Sequence, residues 1–175
     1  MATGTSRRWA CFAAGVFIIV QFVAPATRGQ DSGQKFEAPI TWSVGRDKEA
    51  EVLQPGAEFK VRLVAKIKDG WHLYSLDEPP SGPGPTEISL PKGQPFEMAG
   101  DIDSPIGTRA LDPNFGIKTE YYERSATFVV PVRALAGASG RQKLVVEVRY
   151  QSCSEQLCLA PKTEKLELSV DVQPK

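Results

Sequence analysis

Two cysteines near the end of the chain are the residues whose type and spacing best suit chemistry. Cys153 and Cys158 lie in the segment Tyr-Gln-Ser-Cys-Ser-Glu-Gln-Leu-Cys-Leu-Ala-Pro, residues 150–161. Such a pair can exchange with other thiols, form a structural disulfide or bind a metal. His72 is the single histidine of the chain, so the three side chains fall one ligand short of a structural zinc site. The pattern therefore favours disulfide chemistry and predicts no metal.

The beginning of the chain has the pattern of a targeting segment. Two arginines precede an apolar run at residues 9–20, and small residues follow at 24–26. This order is typical of a secretory signal peptide, and the run is shorter than the roughly 20 apolar residues that span a bilayer. We expect residues 1–29 to be a signal peptide, cleaved after Ala26 or Gly29. An uncleaved N-terminal membrane anchor is the alternative.

Export decides how the cysteines are interpreted. Cys11 lies within the predicted signal, so the exported chain retains Cys153 and Cys158. In an oxidising compartment such as the periplasm, an even pair is expected to be oxidised, either with each other or with another protein.

A bridge between these two cysteines would close a ring of only six residues. By chain entropy, so small a ring stabilises the fold by about 2 kcal/mol, whereas a 100-residue loop gains about 4.7 kcal/mol. A local and exposed bridge is also easier to reduce than one that joins distant strands. The pattern therefore favours a redox-active pair, and a minor structural staple is the alternative.

Alternation of apolar and polar residues is the dominant pattern of the remaining chain. A period of two, typical of half-buried strands, occurs at residues 59–67, 144–150 and 166–172. Weaker strand patterns bounded by glycine and proline occur at residues 40–44, 71–76, 86–90 and 126–132. Residues 78–85 and 100–119 interrupt this rhythm and are predicted to be surface loops. We find no helical period outside the predicted signal.

About seven short strands without a covering helix predict an all-β fold, an immunoglobulin-like sandwich of two antiparallel sheets. We expect residues 30–37 to be a flexible lead-in and residues 38–175 to form the domain. The chain has 21 basic and 21 acidic side chains, and removal of residues 1–29 takes away three arginines and no acid. Nucleic-acid binding is therefore not expected, because such domains are normally basic.

The residues around the cysteines resemble a known family. The segment at residues 150–161, together with Ile-Lys-Asp-Gly-Trp-His-Leu-Tyr at residues 67–74, is similar to the N-terminal periplasmic domain of the thiol:disulfide interchange protein DsbD. The similarity covers residues 38–172. It implies an immunoglobulin-like domain whose cysteine pair shuttles electrons, because in that family a thioredoxin-like domain reduces the pair, which then reduces periplasmic thiol-disulfide proteins.

The resemblance assigns roles to residues on both motifs. Cys153 and Cys158 correspond to the redox pair, and Cys158, the second cysteine, to the one that partners engage. An aromatic pair beside the cysteines corresponds to His72 and Tyr74, with histidine in place of the first ring. Ordinary packing in the sandwich core is the alternative for Tyr74 and for its neighbour Trp71.

A cap loop that covers the disulfide in the family corresponds to residues 112–116, Asp-Pro-Asn-Phe-Gly. Asp112 matches the acidic residue and Phe115 the lid. Proline and asparagine between them depart from the family pattern. An aromatic side chain at the rim of the core is the alternative for Phe115.

The resemblance also implies partners. Thioredoxin-like proteins are expected as electron donor and acceptors, and no cofactor is expected. The family's transmembrane electron conduit and thioredoxin-like domain have no counterpart in these 175 residues, so we expect a separate reductant, such as a transmembrane reductase. Two functions remain open: a protein-disulfide reductase type of carrier, or a non-catalytic immunoglobulin-like binding module with a structural disulfide.

The small ring predicts that the disulfide is dispensable for folding. We expect dithiothreitol to reduce a bridge between Cys153 and Cys158 without unfolding the domain, because only about 2 kcal/mol depends on it. Circular dichroism at 25 °C before and after reduction checks this. Cooperative loss of the β-sheet signal on reduction would contradict it.

Overall fold

The computed structural model describes Met1, residues 37–46 and residues 51–174. The predicted signal peptide, apart from Met1, and the predicted lead-in, apart from Glu37, lie outside the described residues. Residues 36–175 form one unit, and the fold below is that of this unit. In the described part of the chain, no helix is long and apolar enough to cross a membrane.

Regular structure in residues 37–46 and 51–174 consists of β-strands. They are β1 Ile40–Arg46, β2 Glu58–Ile67, β3 Trp71–Tyr74, β4 Glu87–Ser89, β5 Phe96–Met98, β6 Thr108–Leu111, β7 Lys118–Tyr122, β8 Ser125–Ala134, β9 Gly140–Tyr150, β10 Ser152–Ser154 and β11 Lys162–Val172. The three strongest alternating patterns of the sequence coincide with β2, β9 and β11, and the weaker ones with β1, β3, β4 and β8. The expectation of an all-β chain is confirmed.

The strands pair antiparallel in three hydrogen-bonded sheets rather than the two that the sequence predicts. Their orders are β1-β2-β8-β5, β10-β3-β7-β6 and β11-β9-β4. Only Gln151 separates β9 from β10, so one run of chain passes from the third sheet into the second. This bend brings the cysteine segment beside β3 while the rest of β9 stays in the core.

The core lies where the first sheet packs against the other two. Trp42 of β1 contacts Tyr150 of β9 with ring centroids 5.6 Å apart. Phe128 of β8 contacts Tyr122 of β7 at 5.6 Å. Around these rings, alternate residues of β2 and β9 are buried, among them Leu63. Each such apolar side chain contributes about 1.5–3 kcal/mol when it leaves water, so this packing holds the immunoglobulin-like sandwich together.

The prediction of one surface loop at residues 100–119 is wrong. This stretch contains all of β6 and the first residues of β7. Three of the four β6 residues are exposed, so the strand lacks the apolar alternation that reveals a half-buried strand. Its backbone pairs with β7 along its whole length. By contrast, residues 78–85 contain no strand, as predicted.

Candidate redox site

A short hairpin after β9 holds both cysteines. Cys153 and Cys158 form a disulfide with each other, and their Cα atoms are 4.1 Å apart. The two residues face each other as an antiparallel bridge. The flanking backbone hydrogen bonds run from Ser154 N–H to the Leu157 carbonyl and from Leu159 N–H to the Ser152 carbonyl. The cysteines thus occupy a non-hydrogen-bonded pair, where opposite residues approach most closely.

The turn of this hairpin depends on one serine. The Ser154 hydroxyl accepts hydrogen bonds from the N–H groups of Gln156 and Leu157, at 3.3 and 3.1 Å. Serine supports turns in this way because its hydroxyl replaces a backbone acceptor. The Ser154 carbonyl accepts a hydrogen bond from Nδ2 of Asn114, at 3.0 Å. The cap loop is therefore hydrogen-bonded to the hairpin that carries the disulfide.

A second loop, earlier in the chain, is also hydrogen-bonded to the hairpin. Oε1 of Gln151 accepts a hydrogen bond from Gly84 N–H at 2.9 Å, and its Nε2 donates to the Leu159 carbonyl at 3.2 Å. Gly84 belongs to the proline-rich loop at residues 78–85. Gln151 therefore fixes the base of the hairpin against that loop.

The two cysteines differ in exposure. Cys153 is 0% exposed, whereas Cys158 is partly exposed. Its neighbour Leu157 is 52% exposed. An incoming thiol or disulfide can thus approach Cys158, while Cys153 remains inside the domain.

Strand β3 places two further side chains on the same face as Cys153. In the ladder between β10 and β3, Cys153 lies opposite His72, and Ser152 lies opposite Leu73. Because side chains alternate along a strand, His72 and Tyr74 share one face and Leu73 points to the core. Directly opposite residues have Cβ atoms about 4.5–5.5 Å apart. The structure therefore brings His72 next to Cys153.

A chain of hydrogen bonds continues from His72 into the domain. The Tyr74 hydroxyl donates to Oδ2 of Asp112 at 2.7 Å, and His72 Nε2 lies 3.0 Å from the same hydroxyl oxygen. A tyrosine hydroxyl carries one proton, so once Asp112 accepts it, Nε2–H of His72 must be the donor to the oxygen. A neutral His72 therefore has its free lone pair on Nδ1.

Burial sets the protonation of this chain. Burial is the largest cause that raises the pKa of Tyr74, and the hydrogen bond to Asp112 raises it further. Burial also lowers the pKa of His72 from 6.5, against the opposing pull of the Asp112 and Glu123 carboxylates. At neutral pH the tyrosine is therefore protonated and the imidazole is uncharged.

The cap loop is the turn between β6 and β7, and Asp112 organises it. Oδ1 of Asp112 accepts hydrogen bonds from the N–H groups of Asn114 and Phe115, at 2.8 and 3.3 Å. Gly116 closes the turn with a 2.8 Å bond to the Asp112 carbonyl and has a φ of +68°, which glycine adopts without strain. Asp112 is only 2% exposed. One buried carboxylate thus holds the cap loop with one oxygen and Tyr74 with the other.

Phe115 of the cap loop packs on the aromatic pair. Its ring meets that of Tyr74 edge to face, with centroids 6.2 Å apart, and the residue is half-buried. Tyr74 itself is 0% exposed. Trp71, in contrast, packs against the main hydrophobic core. The lid role of Phe115 stays a prediction, and its contact with Tyr74 shows how the cap joins the site.

Sequence reasoning missed Tyr121, which completes the site. Tyr121 pairs with Tyr74 across the ladder between β7 and β3, and its ring lies 4.9 Å from that of His72. A groove of about 540 Å³ runs beside the hairpin, and His72, Tyr121, Asp112 and Glu155 are among its lining residues. The alternation of β7, with Tyr122 in the core and Tyr121 beside the site, would have been the signal, but this strand lay in a predicted loop and its border.

The cap loop yields a testable prediction. We expect Phe115→Ala to accelerate reduction of the disulfide by small thiols, because the site loses cover, with less than about 1 kcal/mol lost as for most partly exposed loop residues. Asp112→Ala should accelerate it too, but should cost about 1–3 kcal/mol, because the buried Tyr74 hydroxyl loses its acceptor. Stopped-flow reduction and urea unfolding measure the two effects. An unchanged reduction rate with a large stability loss in Phe115→Ala would support the core-rim interpretation.

Solved structures provide a comparison for this fold. The N-terminal periplasmic domain of ScsB from Proteus mirabilis has a TM-score of 0.54 and 16% identity, over 75% of this chain and 47% of that one. The N-terminal domain of DsbD from Neisseria meningitidis in the reduced form has a TM-score of 0.47 and 20% identity, over 69% of this chain and 81% of that one. The complex between the DsbD and PilB N-terminal domains from Neisseria meningitidis gives 0.48 and 15%, over 76% and 87%. The ScsB match supports the fold.

A family model gives the assignment. Comparison with curated proteins finds no match. The model of the N-terminal part of thiol:disulfide interchange protein DsbD matches residues 44–170. That range runs from β1 to β11 and includes the hairpin with both cysteines, the β3 aromatic pair and the cap loop. The chain therefore belongs to the family of DsbD N-terminal domains.

Proposed function

We propose that the Cys153–Cys158 disulfide carries electrons between a thioredoxin-like reductant and client proteins in the periplasm. The observation that carries this proposal is the asymmetry of the pair: within one small hairpin, Cys153 is buried and Cys158 is partly exposed. Family membership supports the same chemistry. In thiol-disulfide exchange one sulfur forms the mixed disulfide with the partner and the other resolves it. One exposed and one buried cysteine suit these two roles.

The reaction runs through mixed disulfides. A thiolate of the reductant attacks Sγ of Cys158, the Cys153 sulfur leaves and takes up a proton, and a second reductant thiol then releases Cys158. In the second half of the cycle, the Cys158 thiolate of the reduced domain attacks a client disulfide. Cys153 then attacks the resulting mixed disulfide at Cys158. The client leaves as a dithiol, and the domain returns to the oxidised state. Two electrons pass in each cycle.

The fold suits repeated cycling because its stability is separate from its redox chemistry. The buried alternating residues of β2 and β9 lie in the core between the sheets. The hairpin keeps its own support when the disulfide opens: the ladder to β3, the Asn114 contact and the Gln151 contacts. Reduction therefore removes one local bond and leaves the frame intact.

The surface beside Cys158 supports contact with protein partners. Leu157 on the hairpin is 52% exposed, and Leu111, the last residue of β6, is 68% exposed and lines the groove beside the hairpin turn. Exposed apolar residues beside a reactive group favour protein contacts. A solved complex joins the N-terminal domains of DsbD and PilB. We infer that thioredoxin-like proteins dock here as donor and acceptors, and that a separate transmembrane reductase supplies the electrons.

The location follows from the same reasoning. The related ScsB domain is described as periplasmic, and residues 1–29 have the pattern of a signal peptide. We infer an exported protein that works in the periplasm. Fractionation of cells that express the full chain, together with N-terminal sequencing of the product, tests both the location and cleavage after Ala26 or Gly29.

Cysteine variants test the proposed roles. We expect Cys153→Ser to accumulate mixed disulfides through Cys158, because the resolving thiol is missing, and Cys158→Ser to trap no partner. Non-reducing gels and mass spectrometry of trapped species from the periplasm measure this, and the double variant serves as the control for nonspecific capture.

Two results would contradict parts of the proposal. Capture through Cys153 alone would reverse the roles of the two cysteines while the carrier function stands. No capture by either variant, together with a reduction potential below about −300 mV, would identify a structural disulfide in a binding module.

A further inference from the structure

The buried cysteine has a step to perform that its surroundings make difficult. To resolve a mixed disulfide, the Cys153 thiol must lose its proton, because the thiolate is the nucleophile. Cys153 is 0% exposed, so water does not solvate a thiolate there, and burial of an unpaired charge is unfavourable. A neighbouring group that accepts the proton would offset this cost.

His72 is placed to be that group. It lies directly opposite Cys153 in the ladder of β10 and β3, on the same face of the sheet. The hydrogen bond to the Tyr74 hydroxyl occupies Nε2, so Nδ1 of the neutral ring is the basic atom. The side chain is only 12% exposed. The arrangement has the parts of a nucleophile, a base and an orienting acid, with a tyrosine between base and acid.

Burial lowers the pKa of His72 overall, and the carboxylates around the ring partly offset this effect and stabilise the imidazolium that a proton transfer would form. Oδ2 of Asp112, from the cap loop, lies 3.8 Å from Nε2. Glu123, after β7, also acts on the imidazole by its charge, and Glu155 of the hairpin turn lines the same groove. Tyr121 of β7 contributes its ring. The lining of this groove, within the described residues, includes carboxylates and no lysine or arginine.

We propose that His72 accepts the proton of the Cys153 thiol during resolution of the mixed disulfide. This inference rests on the proposed function. The Cys153 thiol gives its proton to Nδ1 of His72, and the thiolate attacks Sγ of Cys158. The bond between Cys158 and the partner sulfur breaks, and that sulfur leaves with the electron pair as a thiolate. The imidazolium then returns its proton to the leaving thiolate or to water. In the reverse reaction His72 protonates Cys153 as it leaves.

A small coloured disulfide isolates this step. Reduced protein reacts with the aromatic disulfide dithiobis(nitrobenzoate): attack by Cys158 releases one coloured thiolate, and resolution by Cys153 releases the second. The second phase is unimolecular, so its rate does not depend on reagent concentration. In the wild-type protein we expect this rate to rise with pH and to level off once His72 is neutral. Because the pKa of His72 is lowered from 6.5, the plateau should begin near or below that pH.

Two substitutions distinguish a proton acceptor from a positioning residue. His72→Gln keeps an N–H donor for the Tyr74 hydroxyl and removes the base. His72→Phe keeps a ring against Tyr121 and removes both the N–H donor and the base. We expect both variants to slow the second phase at neutral pH by at least about tenfold. This is less than the roughly hundredfold or more of a typical general base, because a thiol ionises partly without a base. The plateau should disappear in both, and the first phase should change by less than about twofold.

The outcomes separate the possibilities. A wild-type pH profile in His72→Gln, with a slow His72→Phe, would overturn the proposal and leave only a positioning role. If neither variant folds, the wild-type protein still decides, because its single histidine can be titrated by NMR in an untagged chain. A kinetic inflection that does not coincide with the pKa of His72 in the reduced protein would overturn the proposal. A missing first phase in the wild-type protein would contradict the proposed function itself.

Discussion

The short ladder between β10 and β3 is the contact on which the site depends. Its register places Cys153 opposite His72 and turns Leu73 into the core. A shift by one residue would turn every side chain of β10 to the opposite face, which would separate the buried sulfur from the histidine. The register is strongly specified because β10 continues from β9, whose alternate residues are locked in the core. Hydrophobic burial far from the cysteines therefore fixes the position of the sulfurs.

Asp112 provides the second connection. It lies 38 residues after Tyr74 in the chain, yet its carboxylate joins the Tyr74 hydroxyl to the backbone of the cap loop. The hydrogen bond is buried, and buried polar groups need all their partners because unpaired ones are costly. The conformation of the cap, the orientation of Tyr74 and the tautomer of His72 are consequently linked. Binding of a partner that moves the cap would change the environment of the redox pair.

The core stabilises the domain and the hairpin carries the disulfide. This separation explains why an immunoglobulin-like sandwich can hold a redox site. In such domains a structural disulfide stabilises the fold more when it joins distant strands, because the loop that it closes is longer. Here the bridge closes a ring of six residues, and the hydrophobic core between the sheets is formed by residues other than the two cysteines. The disulfide is therefore separate from the packing that stabilises the fold. Single residues of the hydrogen-bonded chain behind the hairpin, such as His72, can differ without a change in that packing.

The sequence by itself determined the strands of the core and pointed to Cys153 and Cys158, the two cysteines that form the disulfide. Apart from Val64 and Val145, residues 59–67, 144–150 and 166–172 alternate between apolar and polar side chains. This pattern can be found in the sequence alone because it comes from the pleat of a single strand. The cysteine spacing likewise predicts a small ring if the two residues pair with each other, and the structure shows that they do.

Only the tertiary structure decided which side chains meet. The exposed strand β6 and the three-residue strand β10 have no alternation of apolar and polar residues that would predict them. They are strands because they pair with their neighbours β7 and β3. The contacts of Tyr121 with His72 and of Asn114 with Ser154 depend on sheet order and register. Those are set by non-local packing, since no short window of sequence records which strand will lie beside it.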